Sequence, residues 1–162
     1  MSIAPLDRTD RRILEALQSD GRLANVELAE RVSLSPSPCL RRVRSLEEAG
    51  VIRQYVALLD PAKVGLGLLA FVSVKLEKRG HTPAESFAET VMAWPEVVAG
   101  YAMTGDMDYL LRVHVVDLEH FSRFVMERLL RHPSVIDVKS NFVLERIKDT
   151  TALPLAHLDR AG

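Results

Sequence analysis

The residues best suited to binding chemistry are three arginines, Arg41, Arg42 and Arg44, in the stretch SLSPSPCLRRVRSLEEAG, residues 33–50. Guanidinium groups bind phosphates and guanine edges, so this cluster favours a polyanionic partner. The whole chain has a net charge of −1, so any attraction to a polyanion has to be local. The structural alternative is a helical scaffold whose arginines are simply solvated.

A second group, Gly105-Asp106-Met107-Asp108, places two carboxylates beside a glycine. Such a pair could bind a metal or do acid–base work, or it could be a polar hairpin turn. A third interpretation suits the residues better, because exposed amides can bind the carboxylate of a zwitterion while an aspartate binds its ammonium. The five histidines are scattered, with no i,i+4 pair and no cysteine partner. We therefore predict no metal, no cofactor and no catalytic residue.

Three short helices are predicted to position the arginines. Asp7 or Thr9 caps the first, which runs to about Ser19, and Gly21 supplies a left-handed turn after it. Asn25 is the candidate cap of a second, very short helix. A tight polar turn then leads to the helix that carries the arginine cluster.

Two prolines mark the start of this third helix. Ser35 is a good N-cap, and proline is tolerated in the first turn because those amides have no intrahelical partner. Pro36 and Pro38 therefore occupy the first and third helical positions, and Gly50 is the expected C-cap. Cys39 lies on or beside the apolar side, where we expect a packed thiol rather than a nucleophile.

The charge order of the third helix opposes its macrodipole, because the arginines fill the front half while Glu47 and Glu48 lie behind. A DNA partner removes this conflict, and three compact helices with a short turn before the third match a helix-turn-helix. We therefore predict contacts to double-stranded DNA from the following residues: Ser35, Ser37, Pro38, Arg41, Arg42, Arg44 and Ser45.

The second hundred residues have the order βαββαβ, which gives an antiparallel sheet backed on one face by two helices. Strands are predicted at 68–77, 97–104, 109–116 and 135–148, and helices at 83–93 and 117–133. The residues expected to face inward from the helices are Phe87, Val91, Met92, Leu118, Phe121, Phe124, Val125 and Leu129. The other sheet face keeps apolar residues, so we expect it to pack on another subunit.

The composition limits the remaining classes of protein. The 162 residues are 48% apolar, enough for one large domain or two small ones. A single cysteine excludes an intramolecular disulfide framework and fits a reducing compartment. Apolar runs stay well short of the ~18 residues of a membrane span, and the first six residues lack a signal-peptide pattern. We expect a cytoplasmic globular protein.

The sequence resembles the leucine-responsive/asparagine-regulator (Lrp/AsnC, feast/famine) family of prokaryotic transcription factors. The likeness covers nearly the whole chain, from LDRTDRRILEAL through TGDMDYLLRVHVVD to SNFVLERIKDTTALPL. It implies an α+β fold with an N-terminal winged helix-turn-helix and a C-terminal ferredoxin-like βαββαβ sheet domain. It also implies homodimers that often assemble into octamers. The implied boundaries are a DNA-binding domain over 1–52, a linker strand or hairpin over 53–66, an effector-binding and oligomerisation domain over 67–148, and a tail over 149–162.

The resemblance also implies an amino-acid effector bound between dimers. The residues implied in that site are Tyr101, Met103, Thr104, Gly105, Asp106, Asp108, Val138 and Ser140. The family often has threonine where this chain has Val138. Met103, Met107 and Phe142 favour an apolar ligand, so leucine, methionine or another branched-chain amino acid is the expected effector.

Two functions of different classes fit these observations. The first is a one-component transcription regulator that responds to an amino acid. The second is an amino-acid-sensing subunit or an enzyme-associated allosteric domain, in which the front helices form a docking module. The reversed charge order of the third helix favours the first, which makes the protein a regulator and not an enzyme.

Overall fold

The computed structural model describes residues 6–77 and 83–160. The chain divides into two compact units, one of Met1–Leu58 with Lys148–Gly162 and the other of Leu59–Ile147. The end of the chain therefore belongs to the first unit, whereas the sequence predicts a separate tail over 149–162.

Three helices form the first unit: α1 (Arg8–Ser19), α2 (Asn25–Val32) and α3 (Pro36–Glu48). Asp7 caps α1 through a reciprocal pair of hydrogen bonds, in which its carboxylate accepts from the Asp10 amide and the Asp10 carboxylate accepts from the Asp7 amide. Ser35 is the N-cap residue of α3, and the helix begins at Pro36 as predicted.

The two turns between these helices differ from prediction. Gly21 does not take the left-handed conformation, because the Asp20 carboxylate accepts from the Arg22 amide and turns the chain with ordinary dihedrals. The left-handed residue is instead Ser33, at φ 58°. The cap of α2 is Ala24 rather than Asn25, since the Glu27 carboxylate accepts from the Ala24 amide at 3.2 Å.

The core of the first unit is apolar and draws on all three helices. Its buried residues are Ile13, Leu14, Leu28, Ala29, Val32, Cys39 and Leu46. Burial raises the pKa of the Cys39 thiol, which keeps it in the unreactive neutral form. The prediction of a packed thiol is confirmed.

The second unit has the predicted βαββαβ order. Its elements are β1 (Leu68–Leu76), α4 (Pro83–Met92), β2 (Val97–Ala102), β3 (Tyr109–Val115), α5 (Leu118–Phe124, extended by a π-helical turn over Val125–Leu129) and β4 (Val135–Phe142). The strands pair antiparallel in the order β2-β3-β1-β4. The α+β class predicted from sequence is confirmed.

Burial alternates along β1 and β3, as expected when one sheet face carries helices. Phe87 of α4 and the α5 residues Phe121 and Phe124 pack on that face, as predicted. Met92 and Leu118 were wrongly predicted to face inward, being 88% and 62% exposed. Met92 lies about 140° around the helix from Phe87, and Leu118 is the first residue of its helix.

Two predicted strand segments are absent or shorter in the described chain. Residues 53–60 pair with no described strand, and only a 3₁₀ turn, Ala62–Val64, follows them. A strand needs a ladder partner, and this single chain supplies none there. The last strand stops at Phe142, which pairs with Ala70 of β1, and so is shorter than the predicted 135–148.

Candidate DNA-binding face and effector turn

The exposed side of α3 forms an open groove. Its lining residues are Ser37, Leu40, Arg41, Arg44, Ser45 and Glu48. Two guanidinium groups and two hydroxyls therefore lie on one solvent-facing surface, at the helical spacing that the sequence indicated. Such donors suit phosphate oxygens and base edges in a groove of DNA.

Arg42 does not share this surface. Its guanidinium donates to the carboxylates of Asp7 at 2.7 Å and of Asp10 at 2.8 Å, both at the start of α1. These bonds raise the pKa of Arg42, while the Asp10 amide and then Arg42 lower the pKa of Asp7. In the free chain these ion pairs tie α3 to the cap of α1, and a DNA contact from Arg42 stays a prediction.

A side chain of α2 binds the first turn of α3. The side-chain amide of Asn25 donates to the Pro36 carbonyl at 2.9 Å, although the sequence had suggested only a helix cap. Ser35 makes no capping hydrogen bond with its side chain, so its backbone position alone defines the start. Pro36 and Pro38 remove two amide donors from this end of the helix.

The back end of α3 is held by a residue that sequence reasoning missed. The Tyr55 hydroxyl donates to the Glu47 carboxylate at 2.9 Å, and its ring lies against Gly21. Burial, and then the bond to Glu47, raises the pKa of Tyr55 to about 12. A lone tyrosine in an apolar stretch gave no signal of this bond.

The turn between β2 and β3 combines structural and exposed residues. Gly105 has φ 113°, which only glycine adopts readily. The Met103 amide donates to the Asp108 carbonyl at 2.8 Å, closing the turn. The Asp108 carboxylate accepts from the Leu76 amide at 2.8 Å, so this aspartate attaches the turn to β1. Asp106 is exposed to solvent.

One chain does not bring the predicted effector residues together. Val138 pairs with Val74 and Ser140 with Val72, both on the helix-covered face. Tyr101 pairs with Leu110 and so projects from the open face. Thr104, Met103 and Asp106 lie at the turn, beyond the end of β2, and Val138 is two strands away from β3, about 10 Å.

Other chemistry is not supported by the described residues. Residues 6–77 and 83–160 contain no group of three or more histidine, cysteine, aspartate or glutamate side chains that could hold a metal. Over the same ranges, no helix has the length and apolar character needed to cross a bilayer.

Comparisons with known proteins agree with this geometry. Residues 6–53 match the winged helix-turn-helix DNA-binding family, and residues 69–153 match the Lrp/AsnC ligand binding domain. The leucine-responsive regulatory protein of Escherichia coli K12 is 43% identical over 148 residues, which are 91% of this chain and 90% of that protein. This chain belongs to the Lrp/AsnC family. The predicted family is thus confirmed.

Solved structures of Lrp/AsnC proteins have the same fold. A transcriptional regulator from Neisseria meningitidis, solved as an L-Met complex, has a TM-score of 0.92 and 55% identity, covering 94% of this chain and 99% of that one. An AsnC family transcriptional regulator from Agrobacterium tumefaciens has a TM-score of 0.89 and 46% identity, covering 93% and 98%. This Lrp/AsnC chain is a DNA-binding transcription regulator with an amino-acid-binding domain, and not an enzyme.

Proposed function

We propose that this Lrp/AsnC regulator binds operator DNA through the front half of α3 and alters that binding when methionine or leucine occupies a site between dimers. The observation that carries the DNA half is the open groove of α3, where Arg41 and Arg44 lie beside Ser37 and Ser45. A helix that offers cations and hydroxyls on its free face fits the major groove.

The roles along α3 follow from how each side chain is held. Arg41 and Arg44 reach guanine edges or phosphates, and Ser37 and Ser45 donate to the backbone. Ser35 and Pro38 fix the helix start near the DNA rather than reading bases. Arg42 acts indirectly, because its ion pairs with α1 hold the helix in place.

The proposed effector site is formed in part by the turn between β2 and β3. Asp106 is exposed beside Gly105 and receives the ammonium of the amino acid, while turn amides and Thr104 receive its carboxylate. Asp108 already binds the Leu76 amide, so it shapes the turn. The Neisseria meningitidis regulator, solved as an L-Met complex, supports methionine as the first ligand to test.

The open sheet face supports a homodimer, and dimers that assemble into octamers. Leu69, Phe71 and Leu110 are only partly covered on this face. Among the described residues, the Arg112 Nε atom is buried without a hydrogen-bond partner. A second copy covers the apolar residues and brings carboxylates such as Asp137, which is exposed on the same face. Because Tyr101 and Val138 project from opposite faces, another subunit completes the effector site.

The test is a titration of DNA from upstream of the protein's own gene, with and without amino acids. We expect specific binding by the full chain, and a shift in that binding with methionine or leucine but not with a charged amino acid such as lysine. Absence of sequence-specific binding would refute the regulator and favour a docking module. Such a regulator works in the cytoplasm, where the DNA is.

A further inference from the structure

The outer surface of α1 holds a short segment from the far end of the chain. The Gln18 side-chain amide donates to the Leu153 carbonyl at 3.2 Å, and its oxygen accepts from the Leu153 amide at 2.6 Å. These two bonds copy one step of a β-ladder, because the side-chain amide offers the same donor and acceptor as a peptide group.

The segment also makes an apolar contact two residues later. Leu155 is partly buried against the core of the first unit, whereas the Leu153 side chain is 70% exposed. Residues two apart share a face in a regular strand, and these two leucines differ in exposure, so the segment is not a regular strand. It is docked through its backbone at Leu153 and through its side chain at Leu155. Pro154 between them has no amide that would need a partner.

The described contacts of the segment are therefore a backbone pairing with Gln18 of α1 and one apolar contact with the core of the unit. Gln18 binds the backbone of Leu153 rather than its side chain, and Leu155, two residues later, packs against the core. A 3₁₀ turn, Ala156–Arg160, follows the docked residues, and the Leu158 amide donates to the Leu155 carbonyl at 3.0 Å.

The chain path gives this contact a further consequence. The DNA-binding unit ends at Leu58 and resumes at Lys148, so the chain passes between the two units twice. The second passage begins where β4 ends, at Phe142. With the tail docked, two segments of the chain connect the DNA-binding unit to the sheet unit. With the tail released, only the segment after Leu58 would do so.

We propose that α1 carries a peptide-docking site, that Leu153–Leu155 of the chain's own tail fill it, and that this dock preorganises the DNA-binding unit as a second tether. The docking itself is independent of the proposed function, and its effect on DNA affinity rests on that function. Restricting how the unit can move lowers the entropy lost when it binds.

The experiment compares three full-length variants by hydrogen exchange of the tail without DNA or amino acid. Gln18→Ala removes both hydrogen bonds, and Leu153→Pro removes the amide donor. Leu153→Ala is the matched control, because it shortens a mostly exposed side chain and keeps the backbone bonds. We expect exchange around residues 151–158 to rise about tenfold in the first two variants and to stay near wild type in the control.

The same variants are then titrated with operator DNA. We expect the dissociation constant to rise about threefold or more for Gln18→Ala and Leu153→Pro, and to be unchanged for Leu153→Ala. Wild-type rates of tail exchange in Gln18→Ala and Leu153→Pro would overturn the docking site. If the tail exchanges faster in both variants but their DNA affinity is unchanged, the tether is overturned. If the wild type binds no operator, the proposed function is refuted. The exchange result then still decides whether the docking site exists.

Discussion

The two units of this regulator differ in how much of a binding site one chain can supply. In the helical unit, α3 alone presents the arginines and hydroxyls of the proposed DNA-binding face. In the sheet unit, the predicted effector residues lie on opposite faces and at the end of the sheet, and one face is left partly uncovered.

The difference shows which sites depend on assembly. Residues four apart on a helix share a face whatever surrounds them, so Arg41 and Ser45 stay together in any oligomer. Residues on opposite faces of a sheet meet only through a neighbouring chain. DNA contacts should therefore change with single substitutions on α3, and effector binding should change with substitutions at a distant subunit interface.

The largest expected effect comes from placing a charge on the open sheet face. Phe71→Lys should raise the dimer dissociation constant at least a hundredfold, because it buries a second cation directly opposite Arg112, and an uncompensated buried charge costs about 3–5 kcal/mol. Met92→Lys is the matched control, since Met92 is 88% exposed on a helix. Analytical ultracentrifugation measures both. Equal dimerisation of both variants and wild type would mean that the open face is not the interface.

The second test separates the two aspartates of the turn. Asp106→Asn should weaken methionine binding ten- to a hundredfold, because a charge-assisted hydrogen bond worth about 1.5–3 kcal/mol is lost. Asp108→Asn should have little effect, since its amide oxygen still accepts from the Leu76 amide. Calorimetry gives both affinities, and operator affinity without effector should be unchanged. The reverse order of the two variants would assign the ammonium to Asp108.

The third test concerns the arginines of α3. Arg41→Ala and Arg44→Ala should each weaken operator binding by about 1–3 kcal/mol where the side chain reads a base, with relaxed specificity at one position. A pure phosphate contact would instead weaken all sequences equally and reduce the salt slope by about one. Fluorescence anisotropy at several salt concentrations distinguishes these results. Unchanged affinity for both variants would contradict the assignment of α3.

The smallest expected effect is that of Arg42→Ala, which acts on stability. The ion pairs are partly exposed, so we expect a loss of about 1 kcal/mol in the free energy of unfolding and no change in the salt slope. The pKa of Asp7 is lowered in the fold, so its contribution is present above its ordinary 3.8 and is lost as pH falls below that value. Urea titrations of wild type and variant should converge at acid pH. A stability gap that persists there would contradict the ion pair.

Local patterns predicted most of the architecture. The proline pair predicted the start of α3, Asp7 was one of two predicted caps of α1, and residue patterns predicted the βαββαβ order of elements along the chain. These signals lie within one element, where spacing along the chain determines spacing in space.

The misses involve partners far apart in sequence. The ion pairs of Arg42 were missed because its partners lie 32 and 35 residues away, at the start of α1. The bond between Gln18 and Leu153 spans 135 residues and has no local pattern. The linker strand was predicted from alternation and β-branched residues, although a strand forms only where a second one is available.

Two prolines in the first turn of α3 have a consequence for how binding preference can change over evolution. Because their rings fix the backbone, the starting residue of the helix does not depend on the side chain at position 37. If α3 reads DNA as proposed, substitutions at 37, 41, 44 and 45 change the side chains offered to the DNA without moving the start of the helix. These four positions are exposed and lie outside the core, so single replacements there should alter the preferred target sequence while the fold is kept.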